Sequence, residues 1–144
     1  MIVGKRVRLR AVEPTDLERC LRWINDPDVT GHLTMREPIS SVSETRWLEK
    51  AAAGDDPRAR QYAIETLDGV HVGNIGLHHI NWIDRNCELG ILIGEKERWD
   101  RGYGTDAIVT LLGFAFRELN LHRVLLVVDE DNPRARRCYE KCGF

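Results

Sequence analysis

The sequence predicts an α/β (α+β) fold built on a mixed, mostly antiparallel sheet that ends in one parallel strand pair. Two patterns predict it. Between Gln61 and Gly94 three strand-like stretches follow one another with no helical pattern between them, and Asp68-Gly69 joins the first two as a hairpin turn. From Gly102 onward the pattern becomes helix, strand, helix, which brings the last two strands together in parallel with helices packed over the sheet.

The elements follow in order. Lys5 to Val12 alternates basic and apolar residues, as a half-exposed strand does. Thr15-Asp-Leu-Glu18 reads as a capping box, and Leu17, Cys20, Leu21 and Ile24 follow at helical spacing until Asn25-Asp-Pro27 stops the helix. A loop runs through Pro38. Ser41-Val-Ser-Glu44 reads as a second capping box, with Trp47, Leu48, Ala51 and Ala52 as the core-facing stripe and Gly54 as the stop. Gln61 to Leu67 is a strand, and Val70 to Trp82 a longer one interrupted at Gly73 and Gly76. Asp84-Arg-Asn86 turns the chain into a third, Cys87 to Gly94. The helix from Gly102 to about Leu119 buries Ala107, Ile108, Leu111, Leu112, Ala115, Phe116 and Leu119. Arg123 to Val128 is continuous and β-branched, as expected of a strand covered on both faces. Asn132 caps the last helix, Pro133 opens it and Gly143 suits its end.

Composition narrows the function. A single domain over residues 1–144 fits the length and can bury a core without covalent staples. A formal net charge of −2, from 21 basic and 23 acidic residues, argues against a nucleic-acid binder. No apolar run approaches the ~20 residues of a membrane span. The basic N-terminus lacks the apolar stretch of a signal peptide, so the expected compartment is the cytoplasm. Cys20, Cys87, Cys138 and Cys142 lack metal-binding spacing and read as free thiols, with Cys138 and Cys142 on one helix face. Adjacent His78 and His79 point to opposite sides of a strand, so no metal is expected.

Two stretches carry the chemistry. Trp99-Asp-Arg-Gly-Tyr-Gly-Thr-Asp-Ala107 is a glycine-broken loop running into a helix, where main-chain N–H groups can hold a phosphate and Arg98 and Arg101 add positive charge. The helix after Asn132 presents Tyr139 at a fixed distance from its cap. A phenol facing a phosphate cradle suits chemistry on a long phosphate-bearing cofactor. Gly102-Tyr-Gly-Thr-Asp-Ala107 also satisfies the dinucleotide fingerprint Gly-x-Gly-x-x-Ala, with Asp129 mimicking its ribose acid. The residues between Gly94 and Gly102 break the tight strand-to-helix turn that this fingerprint needs.

Together with Trp23-Ile-Asn-Asp-Pro-Asp28 and Glu88-Leu-Gly-Ile-Leu-Ile-Gly94, these stretches resemble the GNAT N-acetyltransferase superfamily over nearly the whole chain. Within it they look most like the branch of ribosomal-protein N-terminal and spermidine acetyltransferases. The resemblance implies helices on both faces of the sheet and a splay of the parallel pair at the cofactor site. It also implies C-terminal strands beyond Gly143-Phe144, where this chain stops, so the domain is expected to lack them. Acetyl-CoA is the implied cosubstrate and a primary amine the acceptor: a protein N-terminus, a polyamine or another small amine. Relatives are often dimers, so a homodimer is the implied assembly.

The same resemblance assigns the site. The main chain of Arg101, Gly102, Tyr103, Gly104 and Thr105 would hold the diphosphate beside Arg98, with Trp99 standing where the family pattern has Gln or Arg and packing beneath the loop. The strand backbone near Leu92 and Ile93 would take the pantetheine arm, and Asn132 would contact the cofactor. The face shared by Glu88, Gly90, Leu92 and Gly94 is read as room for a ligand. Tyr139 matches the general acid that protonates the departing thiolate. Some members carry a glutamate base where this chain has Val127, so Glu88 is the replacement candidate, acting directly or through water. A carboxylate simply paired with a nearby arginine is its structural alternative. The alternative function is an acetyl-CoA-binding or partner-binding protein without turnover.

Overall fold

The computed structural model describes residues 1–33 and 37–144. Residues 34–36, part of the loop expected to run through Pro38, lie outside the described residues. Six strands, β1 (Ile2–Val3), β2 (Val7–Ala11), β3 (Arg60–Thr66), β4 (His71–Asn81), β5 (Asn86–Ile93) and β6 (Arg123–Leu125), form one sheet in chain order. Every neighbouring pair is antiparallel except β5 and β6, which are parallel. The helices are α1 (Leu17–Ile24), α2 (Pro27–Thr30), α3 (Ser41–Ala53), α4 (Tyr103–Arg117) and α5 (Pro133–Lys141).

Strand alternation sorts the apolar side chains onto two faces. Val7, Leu9, Ile64, Ile75, Leu77 and Leu89 pack with Ala107, Ile108, Leu111 and Ala115 of α4. Cys20 and Trp23 of α1 and Leu48 of α3 form a second cluster on the other face, joined by Val12 and Leu92. Helices therefore cover both faces, as expected.

Local differences from the sequence reading have physical causes. The box expected at Thr15 does not form, because Asp16 turns inward instead. Its fully buried carboxylate accepts from the Glu13 N–H at 2.9 Å, from both terminal nitrogens of Arg10 at 2.9 Å, and from Arg19 at 2.7 Å. The cap of α3 is Ser40 rather than Ser41, accepting from the Ser43 N–H at 3.0 Å. Trp47 is not core: it stays 37% exposed while Glu44 and Leu48 face inward. Pro27 ends α1 but also opens the one-turn α2, which Asp26 caps by accepting from the Asp28 N–H.

Strand β4 continues through Gly73 and Gly76 as one element, with two irregularities: an extra residue at Val72 against β3, next to Gly73, and a shift against β5 between His78 and Asn81, where His79 takes φ 50°. β6 stops at Leu125, and Val127 is 76% exposed, so that stretch is not covered on both faces.

Candidate active site

The parallel pairing of β5 and β6 covers only Asn86–Arg123, Cys87–Val124 and Glu88–Leu125. Beyond that rung β5 continues to Ile93 while β6 ends, and the two chains part as a fork. Antiparallel alternation decides which main-chain groups face the gap. The Gly94 N–H bonds Val72 O across β4, so the backbones of Gly94, Leu92 and Gly90 point to β4 and those of Ile93 and Ile91 point into the fork. The Ile93 carbonyl faces that way too, where it accepts from Trp99 Nε1 at 2.9 Å. Of the two residues expected near the pantetheine arm, Ile93 thus offers its N–H to the gap; Leu92 lines the groove with its backbone committed to β4.

The strand face expected to leave room for a ligand is filled at one end. A Cβ at Gly94 would overlap the Trp23 indole, so that glycine exists for the close approach of α1.

The loop from Arg98 to Gly102 enters α4 at the open end of the fork. Gly102 takes φ 80°, a left-handed conformation that a β-branched residue adopts only with strain. The first intrahelical bond is Asp106 N–H to Gly102 O, which leaves the N–H groups of Tyr103, Gly104 and Thr105 without a helical acceptor. Three free donors at a positive helix end form an anion cradle, and they fit a phosphate group.

A groove of about 700 Å³ joins these parts. Arg98, Gly102, Tyr103, Gly104 and Thr105 line it, as do Leu92, Ile93, Asn132 and Tyr139; Arg101 and Glu88 are not among its lining residues. Tyr139 is half-buried, and burial, with Cys138 and Cys142 adding to it, pushes its phenol above the usual range. Asn132 spends its carbonyl on the Ala135 N–H at 3.2 Å as the cap of α5. Glu88 stands at the apex of the fork, across from His78 of β4.

Three contacts were not legible in the sequence. Arg134 of α5 lies 4.5 Å over the Trp99 ring and bonds Asp100 at 2.9 Å, so α5 is clasped to the loop. Cys138 Sγ and Thr105 Oγ1 are 3.3 Å apart, a second tie between the same elements. His32 Nδ1 stands 3.6 Å from Asp129 Oδ2, and both residues line the groove. Long-range pairs such as residues 32 and 129 leave no periodicity to read.

Charges of both signs line the groove. Arg98, Arg134, Arg137 and Lys141 line it, and Asp28, Asp129 and Asp131 line it as well. Among the described residues Asp26 and Asp28 share Lys96, at 3.0 and 3.1 Å. Among the described residues no group of three or more His, Cys, Asp or Glu is placed to hold a metal ion, and no helix is long and apolar enough to cross a membrane.

Comparison with known proteins adds to this geometry. The family model described as acetyltransferase (GNAT) domain matches residues 6–144. Spermidine N(1)-acetyltransferase of Vibrio cholerae is 30% identical, covering 99% of this chain and 80% of its own length. Its counterpart of the same name in Escherichia coli is also 30% identical, covering 96% and 72%. A crystal structure of spermidine N-acetyltransferase from Vibrio cholerae in complex with CoA and spermine superposes with a TM-score of 0.84 at 31% identity, covering 95% of this chain and 79% of that one.

Proposed function

The chain belongs to the GNAT acetyltransferase family, and from that membership we propose that it acetylates a primary amine of a small polycation such as spermidine, with Tyr139 as general acid. Acetyl-CoA supplies the acetyl group as an activated thioester. The remaining work falls to the protein's own groups.

The free N–H groups of Tyr103, Gly104 and Thr105, helped by Arg98, receive the negative charge of the diphosphate. The Ile93 N–H, aimed into the fork, stabilises the oxygen that gains charge during attack. Tyr139 holds its proton at Oη, the more firmly because burial raises its pKa, and gives it to the leaving sulfur. An alkylamine with a pKa near ~10 must lose a proton before attack. Glu88, at the apex of the fork, takes that proton through water.

Acidic lining at Asp28, Asp129 and Asp131 supports a cationic acceptor, and the relatives named above carry spermidine in their names. The observation that carries the reading is the placement of Tyr139 on the same groove as the free N–H groups of α4. The test is acetyl-CoA with a panel of amines (spermidine, spermine, an N-terminal peptide, an aminoglycoside), following free thiol and product mass. Acetylation of the peptide but not the polyamines would overturn the acceptor class. CoA binding with no thiol released on any amine would favour a binding protein without turnover.

A further inference from the structure

Outside the proposed reaction centre, the hairpin between β1 and β2 is fastened to the first turn of α4. Asp106 sits in the first turn of α4, where its negative charge would oppose an anion bound at the helix start. That charge is committed elsewhere. Its carboxylate accepts three consecutive main-chain N–H groups: Lys5 at 3.2 Å, Arg6 at 2.7 Å and Val7 at 3.0 Å. The contact spans about a hundred residues of sequence and pins the hairpin to the loop.

The side chain of Arg6 then lies against the loop. Its Nε and Cδ stand 3.6 and 3.7 Å from the position a Cβ on Gly102 would take. Asp106 meets Arg6 through the main chain, so the guanidinium, which is always charged, remains available to another acceptor. The same carboxylate that would repel an anion thus spends its charge on amides and delivers a cation beside the cradle.

We propose that Arg6 is a further cofactor-binding residue, pairing with the diphosphate of coenzyme A held at the start of α4, and that Asp106 is its positioning residue. This rests on the reading that the N–H groups of Tyr103 to Thr105 grip that diphosphate. The basic–apolar alternation marks Arg6 only as a strand residue and not as a ligand, because its place beside the loop depends on a contact between distant parts of the chain.

The test is calorimetric binding of CoA and of dephospho-CoA, which keeps the diphosphate but lacks the 3′-phosphate, to wild type, R6A, R6E and G102V. R6A keeps its main-chain N–H, so the bonds to Asp106 persist and the fold is retained, as circular dichroism will check. One lost charge-assisted contact predicts a roughly threefold to tenfold weaker Kd for both ligands in R6A, more in R6E, and a difference that shrinks at high salt. A loss seen with CoA but not with dephospho-CoA would overturn the diphosphate pairing. Unchanged Kd in R6A and R6E with weakened binding in G102V would remove Arg6 and leave the cradle standing. Unchanged Kd in all three would bring down the cradle itself.

Discussion

Glu88 and Leu125 form the last rung of the parallel ladder between β5 and β6, and the fork opens directly beyond them. A ladder that ends mid-sheet leaves main-chain donors of β5 unpaired, and unpaired donors need a partner. The Ile93 N–H is one, aimed at the gap by the alternation that gives the Gly94 N–H to Val72. Glu88 at that rung is the one carboxylate on β5.

Glu88→Gln tests this placement. If Glu88 removes the amine proton, kcat at neutral pH falls by roughly a hundredfold or more, as for loss of a general base. Raising the pH toward ~10 restores much of it, because the amine then deprotonates in bulk water. CoA affinity stays as in wild type. Steady-state rates across pH with calorimetric Kd decide it. A variant within twofold of wild type at pH 7 leaves Glu88 a structural carboxylate.

Tyr139→Phe removes one oxygen from a half-buried ring and keeps its packing edge-on to Phe144 at 6.3 Å. Loss of the general acid predicts a drop in kcat of at least about tenfold to a hundredfold with Kd for CoA nearly unchanged. Parallel loss of CoA affinity would instead make the hydroxyl a binding group.

Much of this was legible in the sequence, and the boundary is physical. Helix α4, the hairpin at Asp68-Gly69 and the cap at Asn132 are set by neighbours in the chain, so pattern and turn chemistry reveal them. Trp47 was misplaced because an apolar stripe does not say which of its members faces the sheet; Leu48 does, and Trp47 lies to its side. Strand β6 was read three residues too long because β-branched runs look alike whether paired or diverging. The clasp of Arg134 on Trp99 and the bonds of Asp106 to Lys5–Val7 are tertiary contacts with no local signature.

Gly102→Val should damage the cradle more than Gly102→Ala. At φ 80° any Cβ is strained by about 1–3 kcal/mol, and a β-branched one most. The branched side chain also covers the N–H groups that follow. Kd for CoA is expected to weaken by more than tenfold in the valine variant and less in the alanine variant, read by calorimetry on protein whose melting curve remains cooperative. Equal affinity in both would mean that the diphosphate does not approach this backbone.

Asp16→Asn should destabilise the fold strongly. Burial opposes the ionised carboxyl, but hydrogen bonds from the Arg10 guanidinium, the Glu13 N–H and Arg19 outweigh it and hold its pKa well below the carboxylate range. Removing one partner of such a buried pair costs about 3–5 kcal/mol, since Arg10 is left without its two-point acceptor. Urea denaturation at pH 7 measures it. A loss under about 1 kcal/mol would make the network dispensable.

His71 gives the fold a pH dependence whose sign follows from its partners. Nε2 faces two acceptors, Gly73 O and Asn74 Oδ1, each at 3.0 Å, so it carries the hydrogen. Nδ1 accepts from Arg19 Nε at 3.1 Å and is therefore unprotonated. The ring is neutral, and its 3.3 Å approach to Asp16 is not an ion pair. Burial is the main cause that lowers its pKa, against the opposing pull of Asn74 and Asp16. His78 is lowered as well, by burial and then by His79. A folded-state pKa below the unfolded value of ~6.5 means that the unfolded chain binds more protons below that pH. Stability is then full above about pH 6.5 and declines as pH falls through the folded values, by up to about 1.4 kcal/mol per pH unit for each proton taken up. Urea midpoints between pH 8 and pH 5 should fall only in the lower half, with Glu44, whose carboxyl burial pushes up, opposing the fall toward the acid end. His71→Gln, though less stable throughout, should show a shallower decline, with the share of His78 remaining. A variant whose decline matches wild type would place the pH dependence elsewhere.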